Sequence, residues 1–343
     1  MNTILFSVII PLRKIGDGVV LETLPAIDKQ TYTNFEVFLL PDDESGTDKK
    51  ILRTYPWLHI LPTHTKKMPG DKRDVGAQYA RGDILAFLDD DALPVVDWLE
   101  KAAEIFTEKE DVVALGGPGL LPQNAGFTEQ VIDTVLTSWF TSGSFAYRFT
   151  PMAPRFVDDF PSMNLMMRRE IFLKLGGFNT QHWPGEDSKL LNKLMNDECK
   201  QVFYHPDVAV YHHRRADIWG HLKQYKNYGY HRGMFMAEGD ENSQHFTYVL
   251  PSLITIYLLL YLSGLPRFIP TNSYGLYQIL AAIPIMMYGV IMIGAAIEAY
   301  LKTKKILIMP GTLLLVPLTH MSYGTFFIYG YFKAKWKLFW AGM

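Results

Sequence analysis

Residues 82–94 read GDILAFLDDDALP, an apolar run that ends in three consecutive carboxylates, Asp89, Asp90 and Asp91. Like charges side by side raise one another's proton affinity unless a cation sits among them. Hard carboxylate oxygens suit Mg²⁺ or Mn²⁺, and those ions in turn suit a diphosphate. The run before them has the composition of a strand buried on both faces, and Pro94 bars its continuation. Ligands of open α/β sheets gather at the carboxyl ends of strands, so the aspartates stand where chemistry is expected. From this stretch alone, a solvated acidic turn accounts for them equally well.

Other groups could join them. His212, His213, Arg214 and Arg215 close an apolar strand at 208–211 and invite a metal or diphosphate reading. The two arginines suit phosphate or lipid headgroups alike. In GED, residues 185–187, Glu186 and Asp187 open a helix. A carboxylate there can take a proton from a hydroxyl or simply complement the helix dipole, and spacing alone favours the dipole. Arg73 lies on a helix shortly before the aspartates, where a surface cation is the plain alternative. His320, in THMSYG at 319–324, is a polar residue within a hydrophobic segment. It marks either a function inside a membrane or a helix break that returns it to the interface.

The elements that must position these groups alternate between strand and helix. Strands are expected at 6–10, 35–40, 57–61, 84–88 and 112–116, the first stopped by Pro11. Helices are expected at 20–30 (despite Pro25), 49–55, 71–81 and 96–106. Such alternation implies a mainly parallel sheet with helices on both faces, an α/β fold. Residues 131–149 are apolar and aromatic without clean periodicity, and read as a buried helix or a lipid-facing surface. Order returns with an apolar NLMM segment, a helix at 168–175, a GGF turn at 176–178 and a helix at 187–196.

The chain of 343 residues has room for one ordinary domain and something more. Its formal net charge of −2, without a basic patch interleaved with aromatics, gives no reason to expect nucleic acid. The single cysteine, Cys199, excludes an internal disulfide and a multi-cysteine zinc site, which fits a reducing compartment. The opening MNTILFSVIIPLRK has no basic leader, and its apolar run is too short for a signal peptide, so it reads as a first strand.

After residue 245 the composition changes. Residues 247–269, 274–301 and 306–332 are long and apolar, with Glu298, His320 and, near one end, Arg267 as the titratable interruptions. Each exceeds the ~20 residues that a bilayer-spanning helix requires. Residues 216–237 mix Trp219, Tyr225, Tyr228, Tyr230 and Phe235 with Lys223, Lys226, His231 and Arg232, the make-up of a helix lying in a membrane interface. Lys302, Lys304 and Lys305 precede the third segment, and Lys333, Lys335 and Lys337 follow it. The positive-inside rule places both clusters on the cytoplasmic side, which a complete span between them forbids. Pro310, Gly311 and Pro317 therefore suggest a re-entrant hairpin. The expected organisation is a catalytic domain at 1–215, an interfacial region at 216–245 and a membrane domain at 246–343.

Taken together, residues 5 to about 235 resemble the family 2 glycosyltransferases, which have the nucleotide-sugar-binding GT-A fold. The resemblance rests on motifs in the family's order: SVIIP at 7–11, LLPDDES at 39–45, DKRDVGAQYARGDILAFLDDDALP at 71–94, NLMMRREIFLKLGGF at 164–178 and GED at 185–187. Glu44 stands where Gly is usual, and Asp74 where Asn is common. The resemblance implies that Asp89 and Asp91 bracket a DxD pair, with Asp91 and His212 on the metal and Asp89 towards ribose and metal. Asp90 is either a third ligand or a structural carboxylate. Pro11, Asp42, Asp43 and Arg73 would line the donor nucleotide. Asp187 falls at the family's catalytic-base position with Glu186 beside it, which implies a single displacement and inversion at the anomeric carbon. Asn164, His213, Arg214, Arg215, Gln224 and Tyr228 are candidates for the acceptor or diphosphate. Processive polysaccharide synthases carry Gln-x-x-Arg-Trp; here Gln224-Tyr225-Lys226-Asn227-Tyr228 lacks the Arg and the Trp, which argues against such a synthase.

The resemblance and the membrane segments imply a membrane-anchored, metal-dependent inverting glycosyltransferase. Its donor would be a nucleotide-diphospho-sugar and its cofactor Mg²⁺ or Mn²⁺. Its acceptor would be a polyprenyl-linked saccharide in surface glycan assembly, with the catalytic domain facing the cytoplasm from the cytoplasmic membrane. Membrane lipids are the expected surroundings, and an oligomer is compatible with the sequence. Formation of a polyprenyl-phosphate sugar is the alternative within the class. A silent nucleotide-sugar-binding scaffold is the alternative outside it. A nicotinamide-dependent oxidoreductase lacks support, since IIPLRKIGDG stands where a G-x-G-x-x-G would follow the first strand.

Overall fold

In a computed structural model, which describes residues 3–45, 49–66, 68–264 and 274–341, the strands run in chain order as follows. They are β1 (Phe6–Pro11), β2 (Phe35–Leu40), β3 (Leu58–Ile60), β4 (Ile84–Leu88), β5 (Ala92–Pro94), β6 (Ala114–Gly116), β7 (Gly119–Leu120), β8 (Arg155–Val157), β9 (Asn164–Arg168), β10 (Val202–Tyr204) and β11 (Val210–His212). The helices are α1 (Leu24–Asp28), α2 (Lys49–Thr54), α3 (Pro69–Tyr79), α4 (Trp98–Glu108), α5 (Phe127–Thr137), α6 (Trp139–Ser142), α7 (Arg169–Lys174), α8 (Glu186–Glu198), α9 (Ile218–Glu238), α10 (Phe246–Leu262), α11 (Tyr274–Thr303) and α12 (Ile308–Ala341). The chain divides into two units. One comprises Met1–Gln123 and Tyr147–His213, the other Asn124–Ala146 and Arg214–Met343.

The first unit is built on a sheet of order β3-β2-β1-β4-β9-β6-β10-β8. β1 pairs in parallel with β2 and β4, β2 with β3, and β6 with β10. The apolar NLMM segment is β9, which enters antiparallel between β4 and β6. Every residue of β1 and β4 is buried, as unbroken apolar runs require. β1 includes Pro11, one residue beyond the expected stop, because a terminal proline removes only one ladder donor. α4 buries Trp98, Leu99, Ala102, Ile105 and Phe106, a stripe at helical spacing that covers one sheet face. The helix expected at 20–30 is instead a π-helical turn, Val19–Thr23, followed by α1 with Pro25 in its first turn, where its missing N–H leaves no bond unmade. A smaller sheet of order β5-β11-β7 lies beyond the end of β4.

The second unit includes most of the stretch without clean periodicity. The stretch at 131–149 is observed as the end of α5, then α6, then a 3₁₀ turn at Gly143–Arg148. Thr134 on α5 meets Thr312 on α12 through their hydroxyls at 2.8 Å. The carboxylate of Glu298 on α11 accepts the Trp139 N–H at 3.1 Å and the Ser138 hydroxyl at 2.6 Å, closing the start of α6. Lys302 pairs with the same carboxylate at 2.8 Å. That accounts for a charge inside an apolar segment.

Among the described residues, three helical stretches, Glu241–Leu262, Ile279–Thr303 and Ile308–Trp340, are long and apolar enough to cross a membrane. The re-entrant hairpin expected from Pro310, Gly311 and Pro317 is corrected: α12 is one helix of 34 residues through Pro317. Pro310 falls in its first turn, and an interior proline is tolerated where neighbouring helices satisfy the freed carbonyl. The two lysine clusters therefore lie at opposite ends of one helix, and the positive-inside rule does not fix its orientation. Arg267 and the end of the segment expected at 247–269 lie outside the described residues.

The interfacial helix expected at 216–237 is observed as α9, but α12 covers one face of it. A Cβ on Gly229 would come within 2.2 Å of the Tyr323 carbonyl oxygen, and one on Gly233 within 2.1 Å of that of Phe327. One on Gly330 of α12 would reach 2.0 Å from the carbonyl oxygen of Tyr230. His221 Nε2 meets the Thr319 hydroxyl at 2.9 Å, and Ser322 donates to the Leu222 carbonyl at 2.9 Å. His320 bonds the Tyr288 hydroxyl through Nδ1 at 2.9 Å.

Candidate active site

The end of β4 delivers the three aspartates, and the small sheet delivers their partner. β11 runs antiparallel to β5 with His212 opposite Ala92, one residue after Asp91. His212 Nε2 thereby lies 3.1 Å from Asp91 Oδ1. Ligand atoms of Asp89, Asp91 and His212 all fall within 4.8 Å of one another. The expected strand at 208–211 is shifted to include His212, so the imidazole projects from a strand. Two carboxylates and an imidazole form a donor set that fits a divalent cation with both oxygen and nitrogen affinity, as Mn²⁺ has. Asp90 is partly buried, and burial, then the charges of Asp91 and Asp89, pushes its pKa up to about 6. Its carbonyl accepts the Thr23 hydroxyl at 2.9 Å, which ties the acidic turn to the π-helical turn.

α3 holds the surroundings of these carboxylates. Gly76 packs on β1 and β2: a Cβ there would come 2.8 Å from Ile9 Cγ2. The three residues before Val75 turn polar side chains inward. Lys72, fully buried, bonds the Leu12 carbonyl and the Asp42 carboxylate. Arg73, 3% exposed in its side chain, donates through Nη2 to Asp89 Oδ1 at 2.7 Å and through Nη1 to Glu186 Oε1 at 3.0 Å. Asp74 accepts the Phe178 N–H at 2.8 Å and the Asn179 N–H at 2.9 Å, fastening the GGF turn. Burial nevertheless leaves the Asp74 pKa above the usual carboxylate range. Pro11 ends β1 opposite Leu40, and the Asp42 N–H bonds the Arg13 carbonyl at 2.9 Å. Pro11 and Asp42 thus stand together at the carboxyl ends of β1 and β2. Asp43 accepts the Ser45 N–H at 2.8 Å within its own exposed turn.

The second group of carboxylates opens α8. Asp187 Oδ1 accepts the Ser188 N–H at 2.8 Å, and Oδ2 accepts the Ser162 N–H at 3.2 Å. Burial, then the charges of Glu186 and Asp159, pushes the Asp187 pKa up to about 7, against those two N–H bonds. Desolvation and like charge outweigh the helix dipole, which would have lowered it. Near neutral pH such a group can both take and release a proton, which a surface carboxylate cannot do. Glu186 faces Arg73, so one guanidinium touches both Asp89 and the first turn of α8.

Not every expected residue of the first unit joins this group. Asn164 is corrected: it is wholly buried, its amide donating to the carbonyls of Gly117 at 2.8 Å and Val208 at 2.7 Å. Its oxygen accepts the Trp98 indole N–H at 2.9 Å, so it locks β9 into the sheet rather than facing an acceptor. Arg214 is buried in the second unit, where it bonds Asp133 at 2.7 and 2.9 Å. Arg215 is exposed, and His213 lies outside the group of metal-ligating atoms. Gln224 and Tyr228 bond each other at 3.0 Å along α9 of the second unit. The sequence reading missed Lys72 and Asp159. The signal for Lys72 was four charged residues in DKRD on one short helix, too many for a single solvated face beside Gly76. The signal for Asp159 was a DD pair in the apolar setting FVDDFPSM.

Residues 7–176 match the model of glycosyl transferase family 2. An uncharacterized glycosyltransferase of Haemophilus influenzae is 27% identical over 197 residues, 56% of this chain and 63% of the relative. The glucosyl-dolichyl phosphate glucuronosyltransferase of Haloferax volcanii is 21% identical over 204 residues, again 56% of this chain and 63% of the relative. The chain thus spans less than two thirds of the length of either curated relative. Among solved structures, the mannosyltransferase PcManGT from Pyrobaculum calidifontis, in complex with GDP-Man and Mn²⁺, has a TM-score of 0.56 at 17% identity, with 87% of both chains covered. That likeness is one of fold.

Proposed function

Since residues 7–176 are a family 2 glycosyltransferase domain, we propose that the protein is a membrane-anchored inverting glycosyltransferase. It moves one sugar from a nucleotide-diphospho-sugar to a polyprenyl-linked saccharide held at the membrane, in assembly of a surface glycan. The observation that carries this reading is the bridge of Arg73 between two carboxylate groups, Asp89 of the metal-ligand group and Glu186 beside Asp187. A transferase needs a leaving-group site and a base in fixed register, and one rigid fork supplies the register.

On the donor side, Asp42, held by Lys72, accepts hydrogen bonds from the nucleoside, with Pro11 closing the same strand end. Asp89, Asp91 and His212 hold the cation, and Mn²⁺ suits the imidazole in that set better than Mg²⁺. When bound, it supplies the positive charge that a departing diphosphate needs. On the acceptor side, Asp187 takes the proton of the attacking hydroxyl. The hydroxyl oxygen bonds the anomeric carbon on the face opposite the diphosphate as the bond to the diphosphate breaks. One base and one displacement invert the configuration. With a pKa near 7, Asp187 is protonated and idle in acid, so the rate rises with pH through about 7.

The acceptor class is supported by three apolar helices and by the dolichyl-phosphate-linked substrate in the Haloferax relative's name. Nucleotide sugars are made in the cytoplasm, which is where the domain would face. The test incubates the purified full chain with Mn²⁺, a panel of UDP- and GDP-sugars, and polyprenyl-diphosphate saccharides, reading products by mass spectrometry. Transfer to the lipid-linked saccharide is expected. Transfer to bare polyprenyl phosphate instead would replace this reading with synthesis of a lipid-phosphate sugar, and transfer to soluble sugars alone would remove the membrane acceptor. Unchanged activity in Asp91→Asn would remove Asp91 from the cation site, and no transfer to any acceptor would leave only a binding scaffold.

A further inference from the structure

We propose that the buried pair Arg148–Asp159 is a second arginine–carboxylate device that positions and tunes Asp187. This rests on the reading of Asp187 as the base. Asp159 is almost wholly buried and follows β8. Its Oδ1 accepts the Ser188 hydroxyl at 2.7 Å, and its Oδ2 accepts Arg148 Nη2 at 2.9 Å. The Tyr147 hydroxyl donates to its carbonyl at 2.6 Å. Ser188 is the residue whose N–H holds one oxygen of Asp187, and Ser162, on the chain just after Asp159, holds the other. Asp159 therefore fastens the segment carrying Ser162 to the first turn of α8, and so fixes both supports of the base.

A neutral asparagine could accept the Ser188 hydroxyl as well and would need no arginine. A buried carboxylate costs several kcal/mol unless paired, so its presence needs a reason that its charge supplies. That charge raises the proton affinity of Asp187, and Arg148 limits the rise. The carboxylates acting on Asp187 are Glu186 and Asp159, and each faces an arginine, Arg73 and Arg148 respectively. Base strength is thereby set by two neutralised neighbours rather than by burial alone. The mechanism thus gains a positioning residue that never touches the substrate.

The test uses the full chain in detergent, as wild type, Asp159→Asn, Arg148→Gln and the double variant. The rate of nucleoside diphosphate release from the active donor of the panel is followed from about pH 5 to about pH 8.5. Asp159→Asn should move the acid limb down by about one pH unit, and Arg148→Gln should move it up by a similar amount. The donor KM should stay constant while kcat changes. A purely structural pair would lower kcat in both variants at an unmoved midpoint, and that result overturns the proposal. If Arg148→Gln folds poorly, the double variant, which leaves no unpaired charge, should fold and follow Asp159→Asn.

A substrate-free readout separates the two readings. A group with a raised folded pKa binds protons that the unfolded chain has released. Its stabilising effect is complete below the unfolded pKa and is lost as pH rises through about 7. Melting temperature should fall less across that window in Asp187→Asn than in the wild type, and the part of the fall that Asp187 contributes should move to a lower window in Asp159→Asn. Full activity in Asp187→Asn would refute the base. Identical melting profiles in wild type and Asp159→Asn would refute the tuning.

Discussion

Removing Arg73 should damage stability and chemistry together, by an amount its surroundings allow to be worked out. In Arg73→Met the aliphatic stem is retained and the guanidinium is lost. Glu186 is 9% exposed and Asp89 33% exposed in their side chains, so the two lose unequally. Asp89 keeps access to water and to a bound cation, and its loss is screened. Glu186 becomes a nearly dry carboxylate without its arginine, next to Asp187. Breaking a buried pair by removing one partner costs about 3–5 kcal/mol. Loss of the guanidinium above the Phe178 ring, 5.4 Å from its centroid, is partly offset by the methionine sulfur that takes its place. For a unit of this size a loss of 3–5 kcal/mol lowers the melting temperature by roughly 6–20 °C. Fluorescence-detected melting of the detergent-solubilised chain measures it. Arg73→Met/Glu186→Gln should recover much of the loss, because no unpaired charge remains. Arg73→Lys should fall between, since an ammonium cannot reach both carboxylates with a planar fork. An unchanged melting temperature in Arg73→Met, or a double variant no better than the single one, would refute the bridge.

Other expectations follow from the same geometry. Asp91→Asn should weaken Mn²⁺ dependence at least tenfold in an activity titration while leaving the melting temperature of the metal-free chain within a few degrees, since Asp91 is exposed. Asn164→Ala should do the reverse: it strands two carbonyls and the Trp98 indole, at about 1–3 kcal/mol for each buried group left unpaired. It should lower melting without changing the donor KM in protein that remains folded. Gly233→Leu should force α9 and α12 apart, because a Cβ already falls 2.1 Å from the Phe327 carbonyl oxygen. Loss of monodisperse detergent-solubilised protein in size-exclusion chromatography is the measurement.

The sequence made the sheet legible where burial is two-sided. The runs at Phe6–Pro11, Phe35–Leu40 and Ile84–Leu88 have no polar alternation except Ser7 and Glu36, and these pair with each other at 2.7 Å. The acidic end of β4 was legible for the same reason. Other parts depended on pairing that no local pattern encodes. His212 joins the metal-ligand group only because β11 sets it opposite Ala92. Asn164 shared its motif with functional neighbours but serves the sheet, and whether a buried amide faces a carbonyl or a ligand is decided by β6 and the chain near Val208. Arg214 reads as a phosphate clamp at a strand end, and its pairing with Asp133, far away in sequence, is encoded by no local pattern. A hairpin follows from proline's local propensity alone, whereas helix packing around Pro317 decides the outcome.

α3 explains why several of these misses belong together. Its buried face is polar: Lys72 to Asp42, Arg73 to Asp89 and Glu186, Asp74 to the turn before α8. A helix with such a face has almost no apolar stripe, so periodicity detects it only weakly. Consecutive residues on an α-helix diverge by about 100°, so Lys72, Arg73 and Asp74 point to three different parts of the site. Asp42, Asp89 and the turn leading to Asp187 are therefore referred to one short rigid element. Any shift of α3 moves all three at once, and Gly76 sets its depth, because even a methyl group there would press on Ile9 and Leu40. On the proposed function that helix holds the site in register, and Arg73, in contact with both Asp89 and Glu186, joins the donor half to the base half.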